Sequence, residues 1–107
     1  MAEVKIVVIY PRPTDIDVFE KLYTEEHVPL AVKHVKGATK FAATKVTGSP
    51  AGPAPFHRIA EIYFPSLDAL QKFALSPGGQ ETLAHATKIS TGGAPIVMIA
   101  EEDVSTF

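Results

Sequence analysis

The stretch FHRIAEIYF, residues 56–64, is the clearest β-strand of this 107-residue sequence. Its β-branched and aromatic residues are typical of a strand that buries one face in a core. Alternation counted from the last residue predicts that one face packs against helices, namely Phe56, Ala60, Ile62 and Phe64. The other face is then expected to carry His57, Ile59, Glu61 and Tyr63. The phase of this strand therefore decides which side chains enter the core.

Three further runs predict strands. VKIVVIY (4–10) is β-branched and aromatic and ends at PRP, because proline cannot continue an interior ladder. ATKFAATKVT (38–47) alternates loosely, and APIVMIA (94–100) follows two glycines. GSPAGPAP (48–55) has three prolines and two glycines, so it predicts a loop between the second and third strands.

The segment after the first strand predicts a helix from about residue 15 to 27. We expect Thr14 to be its N-cap, with Asp17 completing a weak capping box. Pro29 lacks a backbone donor and disfavours helical geometry in the residue before it. A bend or break is therefore expected just after His27, followed by a short helical continuation that ends near Gly37.

A second helical region follows the third strand. Ser66 is placed as its N-cap, with Leu67, Leu70 and Phe73 on one face. The sequence SPGG interrupts this region, and Ser76 with the proline after it predicts the start of another helical segment that runs to about residue 87.

The order β-α-β-β-α-β over residues 1–107 predicts a single domain with the ferredoxin-like α+β fold. In this fold a four-stranded antiparallel sheet carries both helices on one face and leaves the other face open. An apolar open face on a small domain is usually buried against a second copy. We therefore predict a homodimer whose interface includes Ile59 and Tyr63.

Composition narrows the classes of partner and chemistry. With 10 basic and 12 acidic residues, a net charge of −2 and no basic cluster, the chain is not expected to bind nucleic acid. The absence of cysteine excludes disulfides, thiolate metal sites and thiol nucleophiles. The segment MAEVKIVVIY (1–10) has the character of neither a signal peptide nor a membrane span. These features predict a cytoplasmic protein without a membrane partner.

Two ordered segments give the chain a resemblance to the EthD family: YPRPTDIDVFEKLYTEEHVPLAVKHVKG (10–37) and EIYFPSLDALQKFALSPGGQ (61–80). The resemblance implies a dimeric α+β barrel with small-molecule cavities between sheet and helices or inside the barrel. It also implies that Tyr23 and His27 lie at the cavity. The wider superfamily includes isomerases, cyclases, cofactor-independent monooxygenases and haem enzymes, so the fold leaves the reaction open.

Tyr23 and His27 lie one helical turn apart and can converge on one spot, with Phe19 one turn earlier on the same face. A histidine can exchange a proton near neutral pH, and a phenol can hold a substrate oxygen. The pair is therefore predicted to be catalytic and to point into a solvent-connected pocket, with Phe19 as a ligand contact. The alternative is a histidine bonded to a carbonyl near the bend, with Tyr23 packed in the core.

Glu61 is a charged residue in the middle of an apolar strand. It is predicted to be a catalytic acid or base of the cavity, and the alternative is an ion pair with Lys5 on the neighbouring strand. His57 and Tyr63 are predicted ligand contacts; the alternatives are a solvated strand end for His57 and dimer packing for Tyr63. The remaining histidines are expected at the surface, namely His34 and His85.

No metal site is predicted, because the histidines lack metal-ligand spacing, and the glycines form no phosphate or dinucleotide motif. Two functions remain open. One is a cofactor-independent isomerase or cyclase that moves a proton on a small cyclic or aromatic oxygenated molecule. The other is a non-catalytic binding or accessory protein of an oxidative degradation system.

Overall fold

The computed structural model describes residues 3–107. The strands are β1 (Glu3–Pro11), β2 (Lys40–Lys45), β3 (Phe56–Phe64) and β4 (Ile96–Glu102). The helices are α1 (Ile16–Leu22), α2 (Val28–His34), α3 (Leu67–Leu75) and α4 (Pro77–Ile89). A π-helical turn, Tyr23–His27, joins α1 to α2. The predicted element order is therefore confirmed.

The four strands form one antiparallel sheet in the order β2-β3-β1-β4. Within it, Ile6 lies opposite Ile62 on β3 and opposite Ile99 on β4. The helices cover one face, so the ferredoxin-like fold predicted from the sequence is confirmed. The core side chains on this covered face come from β1 and β3: Ile6, Val8, Tyr10, Ala60, Ile62 and Phe64.

Serine caps fix the ends of the second helical region as predicted. The hydroxyl oxygen of Ser66 accepts a hydrogen bond from the amide of Ala69 at 3.1 Å. The hydroxyl oxygen of Ser76 accepts one from Gly79 at 3.0 Å. The predicted cap of the first helix is wrong, because the N-cap is Asp15, whose carboxylate accepts from the amide of Val18 at 3.1 Å. A carboxylate at this position also complements the positive end of the helix.

The bend or break expected just after His27 takes the form of the π-turn Tyr23–His27, and the short continuation expected after it is α2. In the π-turn the amide of Val28 donates to the carbonyl of Tyr23, five residues back, and α2 continues to His34. Pro29 has no amide hydrogen and its ring crowds the carbonyl four residues earlier. The wider π-turn accommodates this proline without ending the helix.

A β-bulge at the start of β3 changes the predicted face of His57. Tyr10 pairs with Arg58, but Pro11 pairs with Phe56, so β3 has one extra residue at this point. Both His57 and Arg58 therefore turn toward the helices, where they contact Glu20 of α1. The bulge interrupts the alternation on which the prediction relied, and Phe56 is exposed rather than packed.

The open face of the sheet is polar at one end. The Lys5 amine forms the predicted ion pair with Glu61, and it also donates to Glu102 at 2.8 Å. The Tyr63 hydroxyl donates to Glu102 at 2.8 Å, and the Lys40 amine lies 4.2 Å from the centre of the Tyr63 ring. These contacts raise the pKa of Lys5, chiefly through its hydrogen bonds to the two carboxylates.

The other end of the open face is apolar. The strand register places Val7, Ile9, Ile59, Ile96 and Met98 there. In a single chain Met98 keeps 44% of its surface exposed. The open face is therefore a mixture of apolar and charged groups, where the sequence predicted a mostly apolar surface.

Glu61 and Glu102 share the Lys5 amine, so substitutions at Lys5 and at Glu61 should lower stability by different amounts. We expect Lys5→Met to lower the melting temperature more than Glu61→Gln, because the first change leaves two neighbouring carboxylates without a cation and the second leaves the Lys5–Glu102 pair intact. Thermal unfolding of both variants measures the difference. Equal losses would contradict a shared network, and the Lys5→Met/Glu61→Gln double variant should recover part of the loss.

Candidate functional site

Three rings of the first helix form a buried column. Phe19 stacks on Tyr23 with ring centres 5.6 Å apart, and Tyr23 stacks on His27 at 5.6 Å. Tyr10 of β1 meets the column edge-on, with its centre 5.4 Å from that of Tyr23. The four-residue spacing thus brings the three side chains together, as predicted. They lie inside the core instead of in a solvent-connected pocket, since Tyr23 is 0% and His27 3% exposed.

Both ring nitrogens of His27 have partners within the chain. Nε2 lies 3.0 Å from the Tyr10 hydroxyl, and Nδ1 lies 2.9 Å from Nδ1 of His85 on α4. His85 is therefore not the surface residue expected from the sequence. Its Nε2 in turn lies 3.8 Å from Oε1 of Glu26. The four side chains form a polar chain that runs from the core to the surface.

The carboxylate at the outer end gives this chain a direction. It favours a proton on Nε2 of His85, which leaves Nδ1 of His85 as an acceptor. His27 then donates from its own Nδ1, and its Nε2 accepts from the Tyr10 hydroxyl. This assignment gives both nitrogens of His27 and Nδ1 of His85 a hydrogen-bond partner, and it leaves Nε2 of His85 in a longer contact of 3.8 Å with Glu26.

Burial keeps the inner members of the chain neutral. It lowers the pKa of His27 from 6.5 to about 4, with a smaller contribution from neighbouring His85. Burial also raises the pKa of the Tyr10 phenol. At neutral pH a neutral imidazole therefore faces a protonated phenol. The nitrogen of such an imidazole can accept a proton through the phenol.

The contacts of Tyr23 are made by its ring and not by its hydroxyl. The Arg58 guanidinium lies 4.7 Å from the centre of the Tyr23 ring. The hydroxyl is buried and has no hydrogen-bond partner among residues 3–107. Burial raises the pKa of Tyr23 to about 12. An unpartnered buried hydroxyl is destabilising, so it is a group that a bound ligand or water would satisfy.

A small cavity lies between the helices and the sheet next to this chain. Its volume is about 20 Å³, which is room for about one water molecule. Tyr10 and His27 contribute polar atoms to a wall that is otherwise apolar except for Thr82. The cavity is therefore large enough to hydrate the site but not to hold an organic substrate in this conformation.

Glu20 organises the charged groups next to the column. Its carboxylate accepts from Arg58 at 2.9 and 2.6 Å and lies 3.0 Å from Nε2 of His57. The bonds to Arg58, and to a lesser degree the contact with His57, lower the pKa of Glu20 to about 2. His57 is thus buried beside a fixed carboxylate, and the solvated strand end considered from the sequence is wrong.

The predicted site residues do not all lie together. Phe19, Tyr23 and His27 share the covered side of the sheet, and His57 contacts Phe19 there. Glu61 and Tyr63 lie on the open side, so within one chain Glu61 cannot act on a ligand held at His27.

Sequence reasoning missed Tyr10 and His85. The phase of β1 indicates that Tyr10 faces the core with Ile6 and Val8, but no local spacing links it to either histidine. His85 reaches His27 only because α4 packs against the π-turn, which is a tertiary contact.

The described part of the chain contains no cluster of three histidine or acidic side chains that could hold a metal ion. None of the helices within residues 3–107 has the length and apolar character needed to cross a bilayer.

Comparison with known proteins identifies the family. The EthD domain model matches residues 12–88. The chain belongs to the EthD family. A curated relative, described as an uncharacterized 11.0 kDa protein in the thcB-thcC intergenic region of Rhodococcus erythropolis, is 33% identical over 101 residues. The match covers 94% of this chain and 96% of that protein.

Solved structures place this EthD chain in the ferredoxin-like fold. An EthD family protein from Bacillus halodurans is 30% identical, with a TM-score of 0.87 and coverage of 94% and 99% of the two chains. A dimeric ferredoxin-like protein of Bacteroides fragilis is 17% identical, with a TM-score of 0.62 and coverage of 94% and 96%. The hydroxynitrile lyase of Passiflora edulis is 14% identical, with a TM-score of 0.73 and coverage of 97% and 96%. The last two show similarity of fold alone.

The lowered pKa of His27 predicts a specific pH dependence of stability. Because the pKa of His27 is about 4 in the folded chain and about 6.5 for a histidine exposed to water, the unfolded chain binds more protons between these limits. The stabilisation is fully present above pH 6.5 and is lost as the pH falls toward 4, by roughly 3 kcal/mol. Urea unfolding from pH 7.5 to 4 measures it.

The matched variant for this experiment is His27→Gln, which should show a flatter dependence over the same range. The stabilisation that Glu20 contributes is lost at lower pH, between about 4.5 and 2, because folding lowers the pKa of Glu20 from 4.5 to about 2. An equal slope in His27→Gln and in the unchanged protein would assign the effect to other groups.

Proposed function

We propose that this EthD protein binds a small cyclic or aromatic oxygenated molecule and catalyses proton transfer on it. The observation that carries the proposal is the polar chain Tyr10–His27–His85–Glu26. Its first two links are of hydrogen-bond length, its last is a contact of 3.8 Å with the Glu26 carboxylate, and its inner end borders a cavity. An acid-base reaction of this kind uses side chains alone. We also propose a cytoplasmic location, as the sequence predicts.

The direction of the hydrogen bonds suits removal of a proton from the substrate. A carbon-bound proton of the substrate would pass to the Tyr10 oxygen as the Tyr10 hydroxyl proton passes to Nε2 of His27. The Nδ1 proton of His27 would move to His85, and the Nε2 proton of His85 would leave toward Glu26 or water. The electron pair of the broken C–H bond stays on the substrate as its enolate, which regains a proton when the steps run in reverse. Tyr10, His27 and His85 each give up one proton and gain one, so no buried charge has to persist on His27.

Tyr23 is proposed to orient the substrate. Its hydroxyl is the buried donor without a partner in the described chain, and its ring packs between Phe19 and His27. Tyr23 does not line the present cavity, so a carbonyl or hydroxyl oxygen of the substrate would accept this hydrogen bond only once the cavity has enlarged toward the column. Phe19 supports the ring from the opposite side and acts through Tyr23.

Substrate binding requires the cavity to enlarge. The present volume of about 20 Å³ is far below the roughly 300 Å³ at the lower end of ligand pockets. The π-turn lies at one wall, and such turns frequently occur at functional sites. A second candidate function is that of a non-catalytic accessory protein. Two observations favour it: both nitrogens of His27 already have partners within the protein, and the cavity is too small for an organic substrate in this conformation.

We also infer that the chain forms a homodimer through the open face of its sheet. The support is the apolar end of that face, where Ile96 and Met98 are 41% and 44% exposed in a single chain. The polar end would bring Lys5, Glu61 and Glu102 close to the partner sheet. In such a dimer Glu61 is a structural ion-pair residue and Tyr63 a packing residue.

The proton-transfer function is tested by deuterium exchange at the α-carbons of cyclohexanone and 1-indanone in heavy water, followed by NMR. We expect catalysed exchange in the unchanged protein and a loss of about 100-fold or more in Tyr10→Phe and His27→Gln, the usual contribution of a general acid or base. The control is Thr87→Val, which removes an exposed hydroxyl on α4 that is not one of the four polar side chains Tyr10, His27, His85 and Glu26.

Tyr23→Phe should raise the KM of the exchange more than it lowers kcat, because it removes an orienting contact. Exchange rates that do not change in any of these variants would contradict the proposed relay. Binding of the two ketones without any catalysed exchange would favour the accessory function.

The dimer is tested by sedimentation at micromolar concentration. We expect twice the chain mass of 11.5 kDa for the unchanged protein. Met98→Lys, on the open face, should dissociate it, because a charge in an apolar interface is costly unless it is paired. Leu75→Lys, at a residue that is 79% exposed on the helix side, is the matched control and should remain dimeric. A monomeric unchanged protein would contradict the barrel.

A further inference from the structure

A groove on the helix side of the protein has the size of a small-molecule site. Its volume is about 480 Å³, and it lies between the end of α2 and the junction of α3 with α4. Its floor is apolar and includes Ala69, Phe73 and Pro77. The volume falls within the range of known ligand pockets, whereas the cavity at His27 does not.

The side chains around the groove give it a positive character. Three basic residues line it, His34, Lys36 and Lys72, and its lining contains no carboxylate. Lys72 lies 3.7 Å from Asp68, but both side chains are 81% exposed, so this pair is weak. His34 lies 3.0 Å from Glu81. Among residues 3–107, the salt bridges leave Lys36 without a carboxylate partner. An apolar floor with basic rims complements an apolar anion.

Phe73 separates the groove from the interior cavity. Its side chain lines both spaces and is 4% exposed. On the inner side the cavity wall includes Tyr10 and His27. A change of rotamer at Phe73 would therefore join the groove to the candidate site. No other residue lines both spaces within the described chain.

We infer that the groove binds a small aromatic or alicyclic carboxylate and that Phe73 is the gate through which its ring reaches Tyr10 and His27. The carboxylate lies near Lys36 and Lys72, and the ring lies on the apolar floor against Phe73. The passage past Phe73 rests on the proposed function, since it matters only if the relay acts on the ligand. Binding in the groove does not depend on the relay.

Binding is tested by titrating the protein with benzoate and following amide shifts by NMR. We expect the largest shifts at Gly37 and Gly78, which line the groove. Lys36→Glu and Lys72→Glu should each weaken benzoate binding by about tenfold or more. Lys33→Glu is the matched control, because it makes the same charge change on an exposed residue of α2 that does not line the groove.

Benzyl alcohol has the same ring without the charge and should bind more weakly than benzoate, with little response to either groove variant. Three results would overturn the groove site. They are benzoate shifts that lie away from the groove, equal weakening by Lys33→Glu, and equal affinity for benzyl alcohol and benzoate.

The gate is tested with Phe73→Ala and Phe73→Leu. The leucine variant is included because the alanine change removes a buried ring and can unfold the domain. In the folded variant, benzoate should also shift the ring resonances of Tyr10 and His27, whereas in the unchanged protein it shifts them less. Shifts confined to the groove in every folded variant would overturn the gate.

The test also separates this inference from the proposed relay. Tyr10→Phe should bind benzoate in the groove as the unchanged protein does, whatever the outcome of ketone exchange. Groove binding together with exchange that is insensitive to Tyr10→Phe would remove the relay alone. Absence of benzoate binding together with exchange lost in His27→Gln would remove the groove site alone.

Discussion

The missing amide hydrogen of Pro29 constrains the first helix at the point where the candidate site is formed. An ordinary α-helical turn would place the proline ring against the carbonyl of Glu25. The π-turn Tyr23–His27 relieves this conflict and lets the helix continue to His34. Because the turn is wide, His27 keeps its stacking on Tyr23 and still meets both Tyr10 and His85. The same accommodation therefore serves helix continuity and the geometry of the site.

The sheet divides two groups of polar residues with different physical roles. On the covered side, next to the Glu20–Arg58 salt bridge, His27 and Tyr10 are buried and neutral, and burial is the main cause of their pKa shifts. On the open side, the shifts arise first from hydrogen bonds between opposite charges, as at Lys5 and Glu102. A neutral buried pair can relay a proton, whereas a salt-bridged carboxylate is held ionised. The Tyr10–His27 pair on the covered side therefore suits acid-base chemistry, and the open side suits electrostatic matching between two sheets.

The sequence predicts elements and faces where a local rule applies, and it fails where a tertiary contact intervenes. Periodicity predicts the strand phase of β3 and the ion pair between Glu61 and Lys5. Capping preferences predict the N-caps Ser66 and Ser76. The bulge at His57 breaks the alternation, because the pairing of β3 with β1 shifts by one residue between Tyr10 and Pro11. The position of His85 depends on how α4 packs, and burial of the column depends on the whole helix layer. No spacing rule reports either contact.

The size of the cavity and the polarity of the Tyr10–His27 pair set one requirement for the proposed proton transfer. A site with room for one water keeps the buried imidazole neutral, since a larger wet space would restore solvation and raise the pKa of His27 toward 6.5. A substrate ring that enters the site excludes water again and preserves the low dielectric in which the Tyr10–His27 bond is formed. A closed cavity in the resting protein therefore keeps Tyr10 and His27 dry. An open cavity would leave both side chains hydrated and less able to transfer a proton. A buried ring such as Phe73, between a wide groove and a narrow cavity, meets this requirement with a single side-chain movement.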